Sequence, residues 1–360
     1  MISPWNFPVN LAFVPLVSIF AAGNQVMHKP SEHTPITSSL LKELCDKSYD
    51  ENEFATCLGG PEVGESFTQL KFDHLLYTGG GSVAKHVMNA ASKNLVPCTL
   101  ELGGKSPVVI GKSADLKTTA KRIMFGKTLN AGQICLAPDY VLVHKDQKDE
   151  FIKETKDAVS HYYPSLKDNE DYTSVINQKH YDRLKDLLDD AIEKGAHVDE
   201  INPSNEDFSQ QEFYKIPPTI FTNTSDDMKI MQEEIFGPLL PVVEYDEIGE
   251  ATALINSKDK PLGLYYFGNN KNEETKVVNL TTSGGVTVND IMGHIQQNEL
   301  GFGGVGPSGM GKYDGFDGFM NFSNNKPIYK QIGFRLDKFL DAIRPPYKGS
   351  IENVLEKLLK

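Results

Sequence analysis

Residues 74–105 read HLLYTGGGSVAKHVMNAASKNLVPCTLELGGK, and this stretch decides the fold class. His74 to Thr78 is an apolar run of β type that stops at Gly79-Gly80-Gly81. Val83 to Ser92 spaces its apolar residues as a helix does, and Val96 to Leu100 is a second strand ending at Glu101. Strand, glycine turn, helix and strand in succession predict a parallel, doubly wound α/β sheet. A glycine turn between strand and helix also turns backbone N–H groups toward a pyrophosphate. Gly79 to Ala84 lacks the GxGxxG spacing, however, so a tight structural turn explains it equally well.

The same alternation extends in both directions. Upstream, Leu11 to Ala22 reads as helix, Gln25 to His28 as strand, Ser39 to Cys45 as helix, Phe54 to Leu58 as strand and Gly64 to Leu70 as a short helix. Downstream, Pro107 to Ile110 is a strand, and Asp115 to Leu129 a helix with Ser113 as its expected N-cap. Tyr140 to His144 is a further strand, and Lys179 to Lys194 an amphipathic helix that ends at Gly195. Glycines at 301, 303, 304, 306, 309 and 311 are too dense for a helix or strand. Phe302, Val305 and Met310 interleave them, so the segment predicts a loop whose backbone must approach something closely.

Bulk composition narrows the function classes. A chain of 360 residues predicts two domains. Its 49 acidic and 36 basic residues give a net charge of −13, which excludes a basic nucleic-acid surface. The four cysteines (Cys45, Cys57, Cys98, Cys135) form no CxxC or Cys/His pattern, so no metal site is expected. Their scarcity fits free thiols in an intracellular, reducing compartment. The apolar stretch from Phe7 to Gly23 is interrupted by Pro8, Asn10 and Pro15 and is too short to span a bilayer. Met1-Ile2-Ser3 supplies no basic segment ahead of it, so a cleaved leader is not expected.

Cys135 is the residue with the most chemistry to offer. It ends the turn Asn130-Ala131-Gly132-Gln133-Ile134-Cys135, some thirty residues beyond Glu101-Leu102-Gly103-Gly104-Lys105. A lone cysteine is commonly a small buried hydrophobe. Behind a Gly-Gln turn, with a carboxylate fixed upstream, it also reads as a covalent nucleophile with a base to serve it.

Five segments in order resemble the aldehyde dehydrogenase superfamily: Pro4-Trp5-Asn6-Phe7-Pro8, Leu100-Glu101-Leu102-Gly103-Gly104-Lys105, the Cys135 turn, Glu233-Glu234-Ile235-Phe236-Gly237-Pro238, and the glycine loop from Gly303 to Gly311. Order and spacing match from Asn6 to about Lys330. Ala137-Pro138-Asp139-Tyr140 after the cysteine, with Val286-Thr287-Val288-Asn289-Asp290 and Arg344-Pro345-Pro346-Tyr347, is most similar to the class 3 and fatty aldehyde dehydrogenase branch. The resemblance implies a parallel-sheet cofactor domain over residues 1–103 and an α/β catalytic domain over 104–312. It further implies a bridging and oligomerisation strand region over 313–332 and an amphipathic tail over 333–360.

It also implies a reaction: oxidation of aliphatic (medium- or long-chain, fatty) or aromatic aldehydes to carboxylic acids, using NAD and in this branch often NADP. Cys135 would form a thiohemiacetal and then a thioester. Asn6 and the Cys135 N–H would stabilise the tetrahedral oxygen, and Glu101 would activate the hydrolytic water. Lys29 and Glu32 would meet the adenosine ribose, where a carboxylate favours NAD over NADP. Gly80 and Val83 would lie near the pyrophosphate and adenine, Glu234 on the nicotinamide ribose and Phe236 in the wall of that pocket. Lys29 and Glu32 read equally as an i,i+3 surface pair, and Glu234 as the exposed end of an acidic helix. His294 stands where class 3 relatives often carry a histidine near the substrate mouth.

Two departures from the family pattern matter. Relatives carry on the order of a hundred residues ahead of the Pro-Trp-Asn segment, so an incomplete cofactor domain is expected, with an exposed sheet edge or apolar patch. A non-catalytic remnant that binds cofactor or a partner is the alternative reading on that ground; the full-length form would be a homodimer. Relatives also carry Gly where Ala84 stands, so its methyl is expected to crowd the cofactor. In the tail, Leu336, Phe339, Leu340 and Ile343, then Ile351, Val354, Leu355, Leu358 and Leu359, repeat a helical spacing. Such a stretch suits either a membrane surface, on an organelle or in the cytoplasm, or docking on protein.

Overall fold

Short buried strands alternate with helices from Asn10 to Glu101, as the glycine-ended runs predict: α1 (Asn10–Ala21), β1 (Val26–His28), α2 (Pro35–Ser48), β2 (Phe54–Thr56), α3 (Pro61–Thr68), β3 (Leu75–Thr78), α4 (Gly81–Ser92) and β4 (Cys98–Glu101). The computed structural model describes residues 1–331, 344–346 and 351–360. They fall into two units, Met1–Ser323 and Asn324–Lys360. The second contains the helix Ile351–Leu358; the expected apolar positions Leu336, Phe339, Leu340 and Ile343 lie outside the described residues.

β1 pairs in parallel with β2, and β3 with β4. The two ribbons are joined by a single residue. Ile2 makes parallel bridges to Lys29, just past β1, and to Tyr77 of β3. Its N–H donates to the Leu76 carbonyl at 2.8 Å, and its carbonyl accepts from Thr78 at 3.1 Å. Lys29 donates to the Met1 carbonyl and accepts from the Ser3 N–H. Three residues ahead of Pro4-Trp5-Asn6 thus serve as the middle strand, which delivers that motif to the end of the sheet. On α2, Ile36, Leu40 and Leu44 are exposed on one face.

The larger sheet is built from β5 (Pro107–Ile110), α5 (Leu116–Thr128), β6 (Tyr140–His144), α6 (Lys148–Tyr162), α7 (Gln178–Glu193), β7 (His197–Glu200), β8 (Thr219–Thr222), α8 (Lys229–Gln232), β9 (Leu239–Tyr245), α9 (Ile248–Ser257), β10 (Gly263–Phe267), α10 (Lys271–Leu280) and β11 (Gly285–Val288). Its strand order is β11-β10-β5-β6-β9-β8-β7. Every pair is parallel except β7 with β8. In β5, Val108 and Ile110 face one buried cluster and Val109 the other. β6 alternates in the same way, with Val141 and Val143 opposite Leu142. Both faces are covered, which is why these strands read as unbroken apolar runs. The edge strand β7 (His-Val-Asp-Glu) carries the charges that keep an open edge soluble.

The glycine loop does approach something closely: itself and β4. β12 (Gly309–Met310) pairs antiparallel with Glu101 and Leu100. A side chain at Gly304 would overlap the Ser308 carbonyl, and one at Gly309 the Leu100 carbonyl. The loop therefore braces the strand end that carries Glu101.

Three expectations need correction. α5 is capped by Asp115, which accepts from the Thr118 N–H at 2.8 Å. Ser113 instead accepts from the Asn269 and Asn270 amides. Where a strand region is expected over 313–332, the described residues hold one antiparallel bridge, Tyr313 to Phe302, and then helix α11 (Gly315–Asn321). Gly318 lets α11 close against Ser18 of α1, an approach that a strand at this place would not make. Ala84 does not crowd a cofactor: its methyl is buried with Leu75, Val87 and Leu100. No helix among the described residues is long and apolar enough to cross a membrane.

Ile2→Pro should strand the Leu76 carbonyl and separate the two ribbons, at a cost of about 1–3 kcal/mol. Its apparent melting temperature should fall clearly below that of Ile2→Val. Equal melting of the two variants would show that the single-residue bridge is not structural.

Candidate active site

Nine of the residues singled out in the sequence line one cavity of about 1080 Å³: Lys29, Glu32, Gly80 and Val83 together with Asn6, Glu101, Cys135, Glu234 and Phe236. The local reasons for each placement differ.

The thiol loop begins where α5 ends. Asn130, Ala131 and Gly132 are all left-handed, with φ of 50°, 52° and 72°. Three such residues in succession turn the chain sharply, and two of them are not glycine, so the turn is strained. Gly132 has no room for a side chain, since a Cβ would stand 2.5 Å from the Gly237 carbonyl and 2.9 Å from the Lys127 carbonyl. The buried Gln133 amide holds the turn: its Nε2 donates to the Asn130 and Ser174 carbonyls, and its Oε1 accepts from Ile176. Asn6 is pinned to the same loop, its Nδ2 donating to the Gln133 carbonyl at 3.3 Å. This brings the Asn6 amide two residues from Cys135.

Cys135 and Glu101 share the cavity and are near enough for each to shift the other. Burial pushes the Glu101 carboxyl up to about 8; the nearby thiol lowers it and the Glu234 charge raises it. Its Oε1 is buried without a hydrogen-bond partner. Cys135 is pushed above its ordinary value by burial and then by the Glu101 and Glu234 charges. Near neutral pH the pair is therefore a protonated thiol against a largely protonated carboxyl.

Glu234 interlocks with the Glu101–Lys105 segment. Its Oε1 accepts from the Gly104 N–H at 3.0 Å, and a side chain at Gly103 would overlap that carboxylate. This explains why two glycines follow Glu101-Leu102. Burial raises Glu234 to about 7, against the pull of the Gly104 hydrogen bond. Phe236, at φ 50°, holds its ring edge-on to Trp5 at 5.6 Å. Glu234 is thus not the exposed end of an acidic helix.

At the other end, Lys29 Nζ donates to Glu32 Oε2 at 2.7 Å. The i,i+3 pair exists, but Lys29 is buried at 4% exposure, so it is not a surface pair. Burial raises the Glu32 carboxyl; the Lys29 hydrogen bond and charge outweigh this and lower it overall. Between the two ends, α4 starts at Gly80 with no side-chain cap, and a Cβ at either Gly80 or Gly81 would meet nothing within 4 Å. Two carboxylates for diols, an uncapped helix start between them and an aromatic wall form a donor set that fits a dinucleotide.

Several residues escaped sequence reasoning. Lys179, His180 and Arg183 of α7 line the cavity, with His180 5.3 Å from Trp5. In the sequence they are merely polar positions of an amphipathic helix. Lys127 is fully buried with no partner for Nζ, and burial lowers it to about 8. His294 does not line this cavity. Thr287 Oγ1 holds its Nδ1 at 2.7 Å and its ring stacks on Phe302.

In the cofactor-free protein, iodoacetamide should alkylate Cys135 slowly at pH 7, with the rate still rising at pH 9. Glu101→Gln removes a neighbouring charge and should speed alkylation at pH 9. Peptide mapping against Cys135→Ala separates this thiol from the other three. Rapid, pH-independent labelling of the parent would contradict the raised thiol.

Comparison with known proteins agrees with this geometry. The aldehyde dehydrogenase family model matches residues 1–328. A probable coniferyl aldehyde dehydrogenase of Caulobacter vibrioides is 56% identical over 360 residues, covering 100% of this chain and 74% of its own length. Aldehyde dehydrogenase family 3 member A2 of Rattus norvegicus is 42% identical over 329 residues, 91% of this chain and 66% of that protein. The substrate-bound structure of Staphylococcus aureus AldH superposes with a TM-score of 0.86 at 38% identity, covering 100% of this chain and 76% of that one. With four of its motifs lining the cavity and the fifth bracing β4, the chain belongs to the aldehyde dehydrogenase family, on the class 3-like side of it.

Proposed function

We propose that this aldehyde dehydrogenase oxidises aromatic aldehydes of the coniferyl type through a thioester on Cys135, with NAD in the cavity. The observation that carries the mechanism is the meeting of Cys135, the buried carboxyl of Glu101 and the Asn6 amide on one cavity. The substrate class rests on the likeness to the coniferyl relative. Longer aliphatic aldehydes are the second class to test. In this reading residues 1–103 form the cofactor domain and 104–312 the catalytic domain, with Asn6 and Glu101 of the first reaching the thiol and Glu234 of the second reaching the cofactor.

NAD, when bound, supplies the hydride acceptor. Lys29 and Glu32 hold one ribose and Glu234 the other; the carboxylate of Glu32 disfavours an added phosphate. The remaining work belongs to the chain. Cys135 Sγ bonds to the aldehyde carbon as its proton passes to Glu101 in the carboxylate form. The carbonyl oxygen gains charge and is met by the Asn6 amide and the Cys135 N–H, each worth about 3–4 kcal/mol of barrier. For that, the Asn6 amide leaves the Gln133 carbonyl it now serves. After hydride departure the acyl group is a thioester. Glu101, its proton released to solvent, takes a proton from water as the water oxygen attacks the acyl carbon. The carbon–sulfur bond breaks, and the acid leaves.

A homodimer and contact of the tail with an apolar surface complete the reading. Ile351 and Val354 are half-buried, while Leu355 and Leu358 are exposed on the tail helix, which supports such contact.

Because burial raises Glu101 to about 8, kcat should rise with pH between 7 and 9 as the base form accumulates, and fall below 7. Cys135→Ala should abolish NADH formation yet still bind NAD. Coniferyl aldehyde should exceed hexanal in kcat/KM by about tenfold, about 1.4 kcal/mol of transition-state binding. Equal turnover of both would remove the aromatic preference, and turnover by Cys135→Ala would sink the mechanism. No turnover by the folded parent with either substrate would leave the binding-only reading.

A further inference from the structure

Lys105 ends the Glu-Leu-Gly-Gly-Lys motif, yet the chemistry above makes no use of it. It does not line the cavity. It is 8% exposed, and its Nζ is fully engaged with partners far away in sequence: the Asp139 carboxylate, the Ile230 carbonyl at 2.7 Å and the Glu233 carbonyl at 2.9 Å. Asp139, 3% exposed, uses its other oxygen to accept from the Ile235 N–H at 2.9 Å. The backbone groups on both sides of Glu234 are therefore gripped by one buried ion pair. Arg183 adds a second grip, donating to the Glu234 carbonyl at 3.1 Å and to the Ile235 carbonyl.

A buried pair of this kind is a poor way to gain stability. Removing two charges from water costs about as much as their attraction returns, and a well-packed apolar pair commonly does as well. What the pair does supply is geometry. A lysine donating to the Ile230 and Glu233 carbonyls and an aspartate accepting from the Ile235 amide fix the height and rotation of the segment. The Glu234 side chain follows, with its carboxylate on the Gly104 N–H and over the bare Cα of Gly103. A shift of about 1 Å at such a site is costly.

We propose that Lys105 and Asp139 are positioning residues that set cofactor affinity by fixing the Glu234 backbone. This rests on Glu234 being a cofactor contact. Neither residue touches the cofactor or the reacting atoms. Their effect on binding runs through Glu234, and the thiol does not depend on them.

The test uses Trp5, the one tryptophan of the chain, which lines the cavity and reports NAD binding by fluorescence. NAD is titrated into Asp139→Asn, Lys105→Met and the paired Lys105→Gln/Asp139→Asn, each also combined with Glu234→Ala. The paired variant keeps hydrogen-bonding groups and strands no charge, so it reads the effect if a single variant does not fold. NAD affinity should fall about tenfold in the parent background and not at all beyond Glu234→Ala alone, the signature of residues acting through one another. Cys135 alkylation without NAD should stay within about twofold of the parent, which a merely loosened fold would not allow. Unchanged NAD affinity in the paired variant, or the same loss in the Glu234→Ala background, overturns the proposal while leaving Glu234 as a cofactor contact. Unchanged affinity in Glu234→Ala itself overturns that contact and the proposal with it.

Discussion

The site depends on a contact that ordinary proteins avoid: a thiol and two carboxyls sharing one buried space. Each charge placed there opposes the next. Glu101 is raised by burial and by Glu234, and Cys135 by burial and by both carboxyls. The cofactor-free protein resolves the conflict by keeping protons on, and the thiol is quiet. The same crowding brings the Glu101 carboxyl to about 8, close to the range in which a general base works, where an exposed carboxylate would be too weak. Reactivity is thus conditional on what enters the cavity.

The scaffold around this space is arranged so that its parts cannot drift separately. The glycine loop pairs with the strand end bearing Glu101. Gly132 rests against Gly237, and Glu234 against Gly103. Three distant segments therefore meet at bare backbone, where no side chain offers slack. Interiors packed this closely transmit small displacements rather than absorb them.

Much of this was legible in the sequence, and the limits have physical causes. β5 and β6 were readable to the residue, because a strand buried on both faces leaves an unbroken apolar run. Cys135 stood out by its turn and the carboxylate upstream, whereas Asn6, Glu101 and Glu234 were singled out through the family motifs that carry them; all four line one cavity. Lys105 and Asp139 were not, since lysine and aspartate are ordinarily solvated and their partners lie 34 to 128 positions away. Ile2 was invisible for another reason: one residue has no periodicity. Ser113 and Asp115 are both good caps, and only the fold shows that Ser113 is taken by Asn269 and Asn270. Residues 315–321 misled because a helix that short shows barely two turns of pattern.

The single-residue bridge at Ile2 has a consequence for the order of synthesis. Ile2 sits between Lys29 and Tyr77. On the ribosome, its second neighbour is made about 4–15 s after Ile2 itself, at roughly 5–20 residues per second. Throughout that interval the middle strand has one edge unclaimed, and the Pro4-Trp5-Asn6 segment has no sheet end to stand on. The nascent chain must therefore carry the Asn6 amide, unplaced, until the strand before the glycine turn arrives.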